Sequence, residues 1–101
     1  MNGLTEADKL FSEIPDALWA PGDPLPNVYH GTPIDMIRQM LVVIGQDPGV
    51  TVQHGIDVLS AALGGRMKKL RFTGNPSDEA RAGLFVFALL RNGICQTLAR
   101  A

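Results

Sequence analysis

A chain of 101 residues, 46% of them hydrophobic and with a net charge of −1, suits one domain, enough to bury roughly 60 to 65% of its unfolded surface. The single cysteine, Cys95, excludes an internal disulfide, and the longest wholly apolar run, 84–90, is far short of the roughly 18 residues that suggest a membrane helix. The opening MNGLTEADKLF has neither the basic nor the apolar region of a secretory leader, so the expectation is a cytoplasmic protein with no membrane partner, folded as one helical domain over 1–101.

Thr5 and Asp8 are spaced as a capping box with Asp in place of Glu or Gln, and Leu4, Ala7, Leu10, Phe11 and Ile14 recur at helical spacing. A first helix is expected over 5–14, closed by Pro15. The next stretch, PDALWAPGDPLPNVYHGTP, holds five of the seven prolines. Proline fixes φ and removes a donor, so the expectation is a long loop with no central strand and room for one helical turn over 16–20. Trp19, Leu25, Val28 and Tyr29 argue that this loop is pinned to the surface. Pro21 and Pro24 match PxxP in spacing, a pattern that proline-rich segments produce by chance.

Thr32, Pro33 and Asp35 form a second start signal, and the spacing predicts a helix over 33–44. Its stripe is Ile34, Ile37, Leu41 and Ile44 beside Met36, Met40 and Val43, leaving Asp35, Arg38, Gln39 and Val42 for solvent. Gly45 is placed to end it in the left-handed conformation. A third helix over 51–63 starts at Asp47-Pro48 or at Thr51, carries Val52, Ile56, Leu59 and Leu63, and stops at Gly64-Gly65. Gly55 weakens it by up to about 1 kcal/mol relative to Ala.

In RMKKLRFTG, Met67, Leu70 and Phe72 serve as anchors while Arg66, Lys68, Lys69 and Arg71 stay in water. A short extended stretch here could pair with 50–52. Asn75 then caps, Pro76 occupies the first helical position, and Asp78 and Glu79 suit the helix dipole. The expected helix runs over 76–92. Because 84–90 is apolar on every side, it belongs in a core or an interface. Asn92-Gly93 ends or kinks it, and Ile94, Cys95 and Leu98 suggest a helical continuation to about 99. The fold class expected is all-α, a small four- to five-helix bundle with a long Pro-rich loop between helices 1 and 2.

The chemistry-bearing residues are few. His54 and Asp57 lie three apart on one helix, which offers two metal ligands where a site needs at least three. Tyr29-His30 precedes a helix N-terminus that offers free N–H groups to an anion, although Asp35 in the first turn opposes one. Cys95 stands in an apolar context, where thiols are buried and inert. No GxSxG elbow, phosphate-cradling glycine loop or HExxH pair occurs. No catalytic residue, metal or cofactor is implied.

Residues 1–50 hold two basic and seven acidic side chains, and 51–101 hold seven basic and three acidic, so the molecule is expected to be electrically two-sided unless the halves interleave. The function expected is a non-catalytic protein-interaction domain, adaptor or regulatory, acting through an apolar helix face. Trp19, Tyr29, Phe85 and Phe87 are its interaction residues, and a homodimer or a partner protein covers the face. The competing reading is a nucleic-acid-binding regulator using the basic segment 66–71, with Arg66, Lys68, Lys69 and Arg71 on phosphates. Behind it stands a small-ligand or enzymatic domain using His30 or His54.

Overall fold

The computed structural model describes residues 17–21, 27–67 and 70–97. Among these residues the chain is mixed α/β and not an all-α bundle. Strand β1 (Ala17–Trp19) is followed by β2 (Val28–His30), helices α1 (Pro33–Val43) and α2 (Val52–Leu63), a 3-10 turn (Gly64–Arg66), helix α3 (Asp78–Arg91) and β3 (Gln96–Thr97). The expected helix over 5–14 lies outside the described residues.

The three strands form an antiparallel sheet in the order β2-β1-β3, so β1 is central. The proline-rich stretch was expected to exclude such a strand. It does not, because each three-residue strand fits between prolines: Pro21 and Pro33 both fall outside the ladder, and no proline has to donate within it. Side chains alternate across the sheet, and Leu18, opposite Tyr29, points with it into the core while Trp19 points to the other face. The helical turn allowed over 16–20 is therefore replaced by a strand.

The expected continuation to about 99 is replaced as well. At the end of α3, Gly93 has a φ of +71°. Its N–H donates to the Leu90 carbonyl at 3.1 Å, and the Ile94 N–H donates to the Leu89 carbonyl at 2.9 Å. This paired closure reverses the chain, buries Ile94 and Cys95, and delivers Gln96 and Thr97 to β1. Gly45 ends α1 by the same device, its N–H donating to the Val42 carbonyl at 3.0 Å and that of Gln46 to the Leu41 carbonyl at 2.8 Å.

The helix starts are equally local. Thr32 Oγ1 accepts from the Asp35 N–H at 3.2 Å, and Asp35 Oδ2 accepts from the Thr32 N–H at 3.1 Å, a complete capping box. Thr51 caps α2 by accepting from the His54 N–H at 3.2 Å. In α3 the cap is Ser77, which accepts from the Ala80 N–H at 3.1 Å, and not Asn75. The helix accordingly begins at Asp78.

The core lies where α1, α2 and α3 pack on one another and on the inner face of the sheet. From α1 it takes Met36, Ile37, Met40 and Leu41, so the buried stripe is centred one residue-row away from Ile34 and Ile44. From α2 it takes Val52, Ile56 and Leu59, and from α3 Phe85, Val86 and Leu89. Phe85 and Leu18 are fully buried.

Residues 70–77 form no ladder with 50–52, since Val52 already belongs to α2. They are held instead by Arg81 of α3. Its Nε donates to the Pro76 carbonyl at 3.2 Å, Nη2 to Asn75 Oδ1 at 3.3 Å and Nη1 to Gln53 Oε1, while the guanidinium carbon sits 5.3 Å from the centre of the Phe72 ring. One half-buried side chain thus ties a loop to two helices. Charge-assisted hydrogen bonds and cation–π contact together predict that Arg81→Ala lowers unfolding free energy by about 2 kcal/mol, with Arg81→Lys recovering little because the planar fork is lost. Urea denaturation followed by circular dichroism measures it, and full rescue by Lys would contradict the fork geometry.

Candidate functional site

The four expected interaction residues do not share one surface. Phe85 is fully buried and Tyr29 is buried. Phe87 is half-buried on another flank of α3, and Trp19 is half-buried on the opposite face of β1 from Leu18. The Trp19 indole Nε1 is buried and finds no acceptor among the described residues. Tyr29 and Phe85 do come together, as parts of the wall of one cavity.

That cavity has a volume of about 240 Å³ and is half-open to solvent. Each layer of the fold contributes to it. Tyr29 from β2, Met40 from α1, Leu59 from α2, and Phe85 and Leu89 from α3 form the inner wall, with Ile94 and Cys95 behind the α3 turn. Val43 and Ile44 at the end of α1, Ala62 and Leu63 at the end of α2, and Arg66 of the 3-10 turn form the rim, facing Ala20, Pro21 and Asn27. Cys95 is buried, as its apolar context suggests. A second, shallower hollow lies between β2 and α1, lined by Val28, Gln39 and Val42 and sharing Asn27, Tyr29 and Val43 with the first.

Around these two hollows the large aliphatic side chains are unusually exposed. Val28 keeps 38% of its surface in water, Val42 59%, Val43 50% and Ile44 41%. Sequence periodicity put Val42 in solvent but Val43 and Ile44 in the stripe, because it cannot show which side of the last turn of α1 is covered; Met40 and Leu41 are buried there and Val43 and Ile44 are not. A polar device stands beside them. The Gln39 side chain accepts from the His30 N–H at 2.9 Å and donates to the His30 carbonyl at 2.6 Å, closing the outer edge of β2 at that residue. A strand edge so capped does not invite a further strand there.

The other candidates stand apart. His30 and His54 are exposed, and Asp57 accepts from Gln53 Nε2 at 3.0 Å. No group of three or more His, Cys, Asp or Glu that could hold a metal ion occurs among the described residues. Arg66 and Arg71 are exposed, whereas Lys68 and Lys69 lie outside the described residues, so the basic segment is placed only at its ends. Among the described residues no helix is long and apolar enough to cross a membrane.

Comparison of the chain with protein-family models, with curated proteins and with solved structures finds no match.

Proposed function

We propose that this protein is a protein-interaction module that pairs with a second copy of itself through the apolar surface of Val28, Val42, Val43 and Ile44. The observation that carries the reading is the exposure of four branched aliphatic side chains around two adjoining hollows. Single exposed aliphatics are ordinary, but a contiguous apolar patch marks a contact surface. A second copy is the simplest occupant because closed two-fold pairing is the commonest assembly and needs one self-complementary patch. The capped edge at His30 favours side-chain packing over strand addition. Of the two most hydrophobic helices, it is α1 that carries exposed large aliphatic residues at its end, past its core residues Met36, Ile37, Met40 and Leu41.

Light scattering coupled to size exclusion at micromolar concentration tests the pairing. The expected mass is twice the chain's 10.9 kDa. Val28→Asp with Val42→Asp should return the mass to that of one chain without changing the circular-dichroism spectrum, since both residues are exposed. A wild-type protein that stays at one chain mass removes the proposal.

A further inference from the structure

The cavity between the ends of α1 and α2 has a chemistry distinct from the exposed aliphatic patch that adjoins its rim. Its volume of about 240 Å³ exceeds the roughly 150 Å³ that accepts benzene, and falls below the roughly 300 to 1,000 Å³ of sites for drug-sized ligands. Nucleotides and flavins are too large. At benzene's packing the space takes roughly nine carbons.

The inner wall is aliphatic and aromatic, and among the described lining residues there is no carboxylate. Among the described lining residues Arg66 is the one charged side chain. It is exposed and makes no hydrogen bond or ion pair with any described residue, in contrast to Arg38, which donates to the Pro48 carbonyl, and Arg81, whose nitrogens are all engaged. A guanidinium presents a planar fork that matches a carboxylate better than a neutral hydroxyl. An apolar pocket with a guanidinium at its mouth that no described residue engages therefore selects a molecule with an apolar body and one anionic end.

We propose that the cavity binds a small apolar monocarboxylate, a medium-chain or aryl-alkyl acid of about eight carbons, with its tail against Phe85, Leu89 and Ile94 and its carboxylate on Arg66. The site shares Val43 and Ile44 with the pairing surface, whereas Val28 and Val42 belong to that surface alone and do not line the cavity.

Titration calorimetry with octanoate, 1-octanol and octylammonium, matched in chain length, tests the assignment on the full chain. Octanoate should bind about fivefold or more tightly than octanol, and octylammonium more weakly than either, since one charge-assisted contact distinguishes them. Arg66→Ala, at an exposed position, should bring octanoate to the affinity of octanol and leave octanol unchanged. Ala62→Trp, which fills the rim from an exposed helical site, should abolish binding of all three with the circular-dichroism spectrum intact. Equal affinities for octanoate and octanol, an octanoate affinity indifferent to Arg66→Ala, or no saturable binding would each overturn the proposal. The Val28→Asp, Val42→Asp protein should still bind octanoate, so loss of pairing and loss of the ligand site are read separately.

Discussion

Phe85→Ala should remove about 3 to 5 kcal/mol of stability, the range for truncating a fully enclosed aromatic side chain. Domains of this kind hold about 5 to 15 kcal/mol in all, so the variant stands near the folding threshold. Phe85 has no exposed surface and lies in the shared core, lining the cavity together with Met40 of α1 and Leu59 of α2. Phe87, two residues on, is only half-buried, and Phe87→Ala should cost under about 2 kcal/mol by the loss of its buried area alone. Urea midpoints of the two variants, compared at equal slope, decide between them. Equal losses would show that α3 does not turn the face containing Ala82, Phe85, Val86 and Leu89 toward the core.

That contrast marks what the sequence makes legible. The run 84–90 is apolar on every side, so its helical state and its burial follow from composition, but which residue faces inward depends on partners far away in the chain. The same limit holds on α1, where a nearly continuous apolar circumference hid the exposure of Val43 and Ile44. Helix limits were legible because caps are local. Thr32, Thr51 and Gly45 each act through atoms within a few residues, whereas the sequence points to Asn75 where Ser77 is the cap and does not tell the closure at Gly93 from a kink. The sheet was not legible for the opposite reason. Strands of three, three and two residues have no periodicity to detect, and their existence depends on Trp19 meeting Gln96 across most of the chain. Arg81 sat in the sequence as an ordinary charge near a helix start, and its clamp on Gln53 and Asn75 depends on tertiary proximity. The cavity draws on every layer of the fold, so no spacing announces it.

Gly55 carries the second large effect, because its role inverts between sequence and structure. In a helix interior glycine costs up to about 1 kcal/mol relative to alanine, and by that rule alone Gly55 is a flaw in α2. The fold shows a contact that wants it. Gly55 is buried against α1, and a β-carbon built there would lie 3.1 Å from Leu41 Cδ1 and 3.3 Å from Ile37 Cγ2, with Val50 Cγ2 at 3.9 Å. Leu41 and Ile37 are both almost fully buried. For Gly55→Ala, two methyl groups have to give by a few tenths of an ångström, which offsets the gain in helix propensity, and the net change should stay within about 1 kcal/mol of zero. Gly55→Leu uses a residue of equally good propensity, so any loss belongs to packing. Its isobutyl group has to separate α1 from α2, and the expected cost is about 3 kcal/mol, at the upper end for overpacked cores. The turn between the helices transmits the strain, since Arg38 of α1 donates to the Pro48 carbonyl there and loses its alignment as α1 moves. Denaturation of the two variants side by side separates the terms. A Gly55→Leu protein as stable as the Gly55→Ala protein would mean that α1 and α2 do not meet at Gly55, and the packing of α1 on α2 described above would have to be redrawn.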